Sequence, residues 1–431
     1  MSKRKITDDI KQMIDDQISE LIESTNKRLK QIENNYNSFL SILTDKQIFR
    51  IFDECNYNMI NNIISNKTNF DINIVFFGKT FLFDACYNGH NEVVRILLAQ
   101  SATDVNLGVT NYCNTSFIHA TINGHETTDI GSTPLIVACE KGHCEVVELL
   151  LAHPKTDVNK TMSVNGSTPL TMACWKGHYK VVELLLAHPM TDVNKTMTMT
   201  NSWDLECQAT GATPLIIACK EGHERVVQLL LSHPKTKVNQ ATTDDYGFSP
   251  FFCACFFINN GVVKLLLDHP KTDVNQVRKF DGQTPLCSAC EYLNQFVGKS
   301  ANEYANLRAN ALETVQLLLT HPNTNVNQAN TIGDTPLDIT FNNHYGGNAA
   351  VKLLLSDSRT IRIRPTNPIR IEVYDRELRN VKSIRRAKFR GLIRAAIVFK
   401  RMQLRAALKV YAPGGAGFQA ASASFTAAID R

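Results

Sequence analysis

The feature that most constrains this chain is an internal repeat. The segment from Thr133 to Asn159 recurs, with small changes, along most of the 431 residues. The closing asparagines Asn73 and Asn106 are 33 residues apart, and longer gaps mark insertions. A unit of this length cannot bury its own apolar side chains, so successive units must stack against one another. The sequence therefore predicts an array of stacked repeats.

Each unit carries the signals of two helices joined by a turn. Thr133 is a typical helix N-cap, and Pro134 suits the first helical position because its φ angle is already fixed. Gly142 is typical of the residue that ends a helix. A second helix is predicted from Glu145 to Ala152, with apolar residues at spacings that share one face, and Pro154 ends it.

This pattern resembles the ankyrin repeat, which reads Gly-x-Thr-Pro-Leu-His-x-Ala, Gly-His, Val-Val-x-Leu-Leu-Leu and Gly-Ala-Asp-Val-Asn. The resemblance covers residues 45–363 and implies an all-α ankyrin-repeat solenoid of about eight repeats, the first and last degenerate. In place of Gly-Ala-Asp this chain has the longer His-Pro-Lys-Thr-Asp, which changes the turn between repeats. The histidine after Thr-Pro-Leu is replaced by Ile136, Thr171, Ile216, Phe252 and Cys287.

The repeat also accounts for most residues that suggest chemistry. Ten of the twelve histidines occupy two recurring positions at the helix ends. Cys287 and Cys290 have the spacing of metal ligands or a redox pair, but no second pair lies nearby at zinc-finger separation. We therefore predict no catalytic residue, no metal site and no cofactor. In six repeats a cysteine follows an alanine of the first helix, and these cysteines are predicted to pack in a column. They are Cys86, Cys139, Cys174, Cys219, Cys255 and Cys290.

The resemblance also implies where a partner binds. In the ankyrin family, binding is carried by the turn tips and by two variable positions near the end of the first helix, on the concave face. Trp175, one of two tryptophans, is expected to be exposed between lysines, as at the centre of an interface. For Phe256 and Phe257 the alternative is that they cover a neighbouring repeat, because Ile258-Asn259 follows them in place of the usual Gly-His. The predicted partner-binding residues are Tyr87, Lys141, Trp175, Lys176, Lys220, Phe256 and Phe257.

Three insertions and an N-terminal segment complete the predicted array. The insertions lie near residues 107–130, 195–212 and 291–312, and the last is predicted to lengthen the loop between two helices. They are predicted to contribute to binding, with neutral drift in a tolerant loop as the alternative. Residues 1–44 are predicted to form a helix that caps the first repeat, with dimerisation as the alternative.

The C-terminal residues 364–431 differ in composition, because they hold 15 basic and 4 acidic residues in a chain whose net charge is only +5. They predict a basic amphipathic helix. One interpretation is that the apolar stripe of this helix packs on the last repeat. The alternatives are that the helix binds a calmodulin-like groove, an anionic membrane surface or nucleic acid. The predicted basic face consists of Arg390, Arg394, Arg401 and Arg405.

Taken together, these features predict a non-enzymatic scaffold that binds another protein. The alternatives are nucleic-acid or anionic-surface binding by the tail, and an adaptor to host ubiquitin machinery, although neither end contains a recognisable F-box. No apolar run approaches the roughly 20 residues that a membrane span needs, and we expect an intracellular monomer in the cytoplasm, with the nucleus as the alternative. Two segments resemble ankyrin arrays of large DNA viruses of protists, and this resemblance implies a viral protein. They are the recurring Leu-Leu-Leu-Ala-His-Pro-Lys-Thr-Asp-Val-Asn and the last residues, Ala416 to Arg431.

Overall fold

The fold is all-α, as predicted. The computed structural model describes residues 22–28, 30–31, 43–67, 70–75, 78–108, 131–163, 165–198, 210–293, 301–341 and 348–360, and the single residues 379 and 382. Within this part of the chain the regular elements are helices arranged in pairs. The chain divides into two compact units, Met1–Phe280 and Asp281–Arg431, which are described separately.

The first unit contains six described helix pairs. Each first helix packs against the first helix of the next pair, and the second helices do the same, so the pairs form a stack. The first helices are α1 (Asp45–Asp53), α3 (Phe81–Asn88), α5 (Pro134–Lys141), α7 (Pro169–Lys176), α9 (Pro214–Glu221) and α11 (Pro250–Phe256). The second helices are α2 (Tyr57–Asn66), α4 (Asn91–Leu98), α6 (Cys144–Ala152), α8 (Tyr179–Ala187), α10 (Glu224–Ser232) and α12 (Asn260–Asp268).

The helix ends are built from the residues that the sequence indicates. The hydroxyl of Thr133 accepts a hydrogen bond from the backbone N–H of Ile136 at 3.3 Å and so satisfies one free donor at the start of α5. Gly142 ends α5 with φ of 79°, a left-handed conformation that favours glycine. His153 is the C-cap of α6, directly before Pro154.

In the first unit, an asparagine at the end of five repeats connects each of them to the next repeat. The side-chain amide of Asn159 donates to the carbonyl of Met190 at 2.6 Å, and its oxygen accepts from the N–H of Asp192 at 2.8 Å. The same pair of bonds joins Asn106 directly to Lys155 and Asp157. The repeats on either side of the insertion at 107–130 therefore stack directly on each other. Equivalent bonds are made by Asn73, Asn194 and Asn239.

The first unit contains five members of the predicted cysteine column in its core. Each member is fully buried, and each is a free thiol. Burial raises the pKa of these thiols well above the usual range, because the thiolate loses its hydration. These members are Cys86, Cys139, Cys174, Cys219 and Cys255, and the sixth cysteine, Cys290, is a fully buried free thiol of the second unit.

The buried column predicts slow thiol chemistry. We expect iodoacetamide at neutral pH to alkylate these six cysteines at least about 100-fold more slowly in the native protein than in the denaturant-unfolded chain, since reaction requires opening and a thiolate. Site-resolved mass spectrometry measures each rate, and the half-buried Cys144 is the internal control that should react faster. Equal rates for Cys144 and Cys174 would contradict the packing.

The second unit corrects one prediction. The insertion near 291–312 was expected to be a loop, but residues 301–312 form the first part of a single 20-residue helix, α14. Residues 301–312 include four alanines and two leucines and lack glycine and proline, so they favour helix. The stripe of Ala311, Val315 and Leu318 is fully buried. The described helices of this unit are α13 (Pro285–Tyr292), α14 (Ala301–Thr320), α15 (Pro336–Phe341) and α16 (Asn348–Ser356).

Several predicted features fall at or beyond the edges of the described residues. Residues 22–28 are helical, within the predicted N-terminal helix, and Ile22 is 55% exposed. Two of the predicted insertions, at 109–130 and 199–209, and the tail arginines Arg390, Arg394, Arg401 and Arg405 lie outside the described residues.

Candidate interaction face

The candidate face of the first unit is a row of side chains at the ends of successive first helices. Because α3, α5, α7, α9 and α11 pack on one another in order, equivalent positions of these helices follow each other across five repeats. We call this set the first-helix row, and all seven predicted partner-binding residues belong to it. It consists of Tyr87-Asn88, Glu140-Lys141, Trp175-Lys176, Lys220-Glu221 and Phe256-Phe257.

Tyr87 begins the row between two lysines. The amines of Lys79 and Lys141 each lie 4.6 Å from the centre of its ring, within cation–π range. Lys79 also lies 3.9 Å from a carboxylate oxygen of Asp84. The sequence analysis did not single out Lys79, although its place between Gly78 and the N-cap puts it at a turn tip, where the ankyrin family binds.

Trp175 differs from its prediction. It was expected to be exposed, but it is half-buried and packs against Ile136, Met162 and Met172. The reason is that Met162, in the preceding turn, is itself buried beside the indole. The amine of Lys176 lies 4.4 Å from the centre of the indole. The tryptophan is therefore held in place and presents only part of its surface.

Phe256 and Phe257 belong to a longer aromatic strip. Their rings meet edge to face at 5.1 Å, and Phe248 lies 6.0 Å from Phe256. Tyr246 continues the contact at 5.6 Å from Phe248, and Phe280 lies 5.3 Å from Tyr246 and is 64% exposed. We call these five residues the aromatic strip. The rings of the aromatic strip contact one another within one repeat and its turns. The alternative that Phe256 and Phe257 cover a neighbouring repeat therefore accounts for only part of the strip.

Cations lie along the aromatic strip. The guanidinium of Arg278 is 5.7 Å from the ring of Phe248 and 5.4 Å from that of Phe252. The amine of Lys220, from the preceding repeat, is 5.8 Å from the ring of Phe257. Sequence reasoning missed Arg278, because its distance from the row along the chain hides its packing against the rings.

The backbone of the row is fixed by the following repeat. His143 Nε2 lies 3.1 Å from the carbonyl oxygen of Tyr87, and His223 Nε2 lies 2.9 Å from that of Trp175. Asn259 stands where histidine is usual, and its amide donates to the carbonyl of Lys220 at 2.8 Å. Fixing these carbonyls reduces the ordering entropy that binding costs. His178 makes the equivalent bond to Glu140.

A metal site, a redox pair and a membrane span each make specific structural requirements of the described residues. No group of three or more histidine, cysteine or acidic side chains among them could hold a metal ion. Cys287 and Cys290 are free and buried, and the thiol of Cys287 donates to the carbonyl of Gln328 at 3.7 Å. None of the helices in the described segments has the length and apolar character to cross a membrane.

Comparison with known proteins agrees with this architecture. The family model described as Ankyrin repeats (3 copies) matches residues 51–130, 122–197 and 196–278, which together span more than half of the chain. The crystal structure of the human ASB11 ankyrin repeat domain is 22% identical, covers 61% of this chain and 91% of that chain, and superposes with a TM-score of 0.43. No curated protein matches the chain.

Proposed function

Because the chain belongs to the ankyrin-repeat family, whose repeats are generally protein–protein interaction modules, we propose that it is a scaffold without catalytic activity. Its first-helix row binds another protein. The observation that carries this proposal is the row itself, in which aromatic and lysine side chains stand on a backbone fixed by the next repeat. The typically non-enzymatic character of the family also supports it.

The composition of the row supports a binding role. Tyrosine and tryptophan are enriched among residues that carry most of the energy of an interface. Trp175 and Phe256 are both half-buried, so their positions are defined before a partner arrives. A partner that covers them gains apolar contact at a small cost in side-chain entropy.

We also propose that the insertion at 195–212 contributes to the same surface. Its ends are paired, because the N–H of Met197 donates to the carbonyl of Ala212 at 2.9 Å. The N–H of Thr198 donates to the carbonyl of Asn165, in the preceding turn, at 2.9 Å. The described ends of this insertion therefore lie at the turns that precede the first helices.

A paired-variant capture experiment tests the proposal. We expect the full chain carrying Trp175→Ala and Phe256→Ala to lose a captured protein partner at least about 10-fold, as for truncated hot-spot residues. The matched control carries Tyr57→Ala and Tyr179→Ala, which removes two aromatic side chains that are 43% and 42% exposed on second helices. Circular dichroism confirms that both variants are folded. Equal loss in both, or no loss in the first, would place binding elsewhere.

The alternative function is nucleic-acid or anionic-surface binding by the tail. The excess of 15 basic over 4 acidic residues in 364–431 favours it, and phosphate contacts weaken steeply with salt. Capture with the full chain and with residues 1–363, each at low and high salt, separates the two. Partners lost both on truncation and on raising salt would assign the function to the tail.

We further propose that the protein is an intracellular monomer, in the cytoplasm or the nucleus. The buried free thiols Cys86, Cys139, Cys174, Cys219, Cys255 and Cys290 support a reducing compartment. The resemblance to arrays of large DNA viruses of protists favours a viral scaffold that acts on a host protein. Recruitment of host ubiquitin machinery is the narrower version, and a ubiquitin ligase subunit among the captured proteins would support it.

A further inference from the structure

The last described repeat, formed by α15 and α16, contains a leucine that is buried more deeply than its counterparts. Leu355 of α16 is completely buried, with 0% of its surface exposed. The equivalent leucine is only half-buried in six other second helices, so the fold of a repeat does not by itself cover this position. These counterparts are Leu98, Leu151, Leu186, Leu231, Leu267 and Leu319. An additional group therefore covers Leu355.

The helix α16 stays buried although no described repeat follows it. A second helix inside the stack has neighbours on two sides, as α8 packs against α6 and α10, whereas the described helices that pack closely on α16 are α14 and α15. At the end of a repeat array, apolar side chains that face outward meet water unless a cap covers them. Ala350, Val351 and Leu354 are nevertheless no more than 1% exposed. Part of the chain therefore takes the place of a following repeat.

Position along the chain indicates which segment this is. The connections 294–300 and 342–347 each join the two helices of one repeat, and so lead into the first residues of α14 and α16. Leu355 lies near the other end of α16, seven residues after Asn348 and about 10 Å along the helix axis. The chain from residue 361 onward leaves the repeat just after α16 and belongs to the same compact unit. The C-terminal tail is therefore the segment best placed to cover Leu355.

The two described residues of the tail, Arg379 and Lys382, indicate which side of it faces solvent. Both are helical and exposed, and a spacing of three residues places them on the same side of a helix. Val381 and Ile384 fall on the opposite side, because each residue advances a helix by about 100°. The arginines of the predicted basic face share the side of Arg379. The apolar stripe on the opposite side consists of Val381, Ile384, Leu392, Ala395, Phe399 and Met402.

We propose that the tail is the terminal cap of the array, and that its apolar stripe packs on α16 over Leu355 in place of a following repeat. The surface of α16 is thus occupied by a segment of the same chain, and the basic face stays on the solvent side. A partner that takes up the apolar stripe must first displace it from α16, whereas a partner of the basic face need not. The cap does not depend on the proposed function of the first-helix row.

Alkylation of an introduced cysteine tests the cap on the full chain. Leu355→Cys places a thiol under the proposed cap, and Leu267→Cys places one at the equivalent, half-buried position of α12. We expect iodoacetamide to modify the thiol at position 355 at least about 10-fold more slowly than the thiol at position 267, because a covered thiol reacts only after local opening. Site-resolved mass spectrometry measures both rates.

A second comparison identifies the covering segment. Added to Leu355→Cys, the pair Val381→Ser with Ile384→Ser should raise the alkylation rate at position 355 at least about 10-fold, because it removes apolar contact with α16. The matched control is Arg379→Ser with Lys382→Ser, which changes the exposed side of the same turns and should leave that rate within about 2-fold.

The rates at position 355 decide the proposal. Acceleration confined to the Val381 and Ile384 pair supports it. A rate equal to that at position 267 in the full chain, protection that survives the substitutions in the stripe, or equal acceleration by the Arg379 and Lys382 pair overturns it. Cys290 reports on the integrity of the unit, because it is fully buried in α13. If Cys290 also becomes reactive, the milder pair Val381→Ala with Ile384→Ala takes the place of the serine pair, with the same criteria.

Discussion

Replacing Gly177 by alanine is expected to lower the free energy of unfolding by about 2–4 kcal/mol, since a left-handed backbone costs an L residue about 1–2 kcal/mol before any steric conflict. Gly177 has φ of 75°, and an added Cβ would lie 2.7 Å from ring atoms of His223. That ring is restrained, because its Nε2 lies 2.9 Å from the carbonyl oxygen of Trp175. The substitution therefore strains both the turn and the contact between repeats.

Gly261→Ala is the matched control for this prediction. Gly261 lies within α12, and the group nearest to an added Cβ is the end of the exposed, flexible Glu224 side chain. Alanine in a helix is favoured over glycine by about 0.5–1 kcal/mol, so this variant should be neutral or more stable. Urea denaturation followed by circular dichroism measures both variants. Trp175 fluorescence should also shift in the Gly177 variant, and a loss below about 1 kcal/mol in that variant would contradict the close contact.

Replacing Phe252 by alanine is expected to cost about 3–5 kcal/mol, the range for a fully buried phenylalanine. Phe252 is completely buried, and its ring lies 5.5 Å from Phe248 and 6.3 Å from Phe256. It occupies the position at which the ankyrin repeat carries histidine, so this repeat supports its aromatic strip with an apolar side chain. Loss of the ring leaves a cavity beneath the strip.

Two further variants distinguish the destabilisation caused by the cavity from that caused by removing a phenylalanine side chain at any site. Phe252→Leu keeps most of the apolar volume and should cost less than about 1.5 kcal/mol. Phe280→Ala removes the same group at a site that is 64% exposed, and should change stability by no more than about 0.5 kcal/mol. Thermal and urea unfolding compare the three. Equal losses for Phe252→Ala and Phe280→Ala would show that Phe252 is not in the core.

Local signals in the sequence predicted the parts of this fold that local chemistry determines. Thr133 caps a helix because its short polar side chain accepts a hydrogen bond from a free backbone N–H. Gly142 ends the helix because a residue without Cβ adopts the left-handed conformation easily. The cysteine column followed from its fixed place in the repeat. The family pattern also gave the positions of the first-helix row, although contact of its seven residues with a partner stays a prediction.

The remaining features depend on neighbours that are distant along the chain. Trp175 is half-buried because Met162 covers it from another turn, and no local pattern reports that contact. Arg278 reaches the ring of Phe248 only through the stacking of turns on helices, and Lys79 reaches Tyr87 because the turn before α3 packs along that helix. The helical form of residues 301–312 was overlooked because their place between the two helices of one repeat suggested a loop, although their composition favours helix.

The asparagine bonds have a consequence for how such a chain changes over time. Asn106 makes its usual pair of bonds to Lys155 and Asp157 although 22 residues, 109–130, come between the described segments there. Sequence added at this point leaves the contacts that hold neighbouring repeats together in place. Selection for a new partner can therefore act on inserted residues while selection for stability acts on others, and the two need not compete.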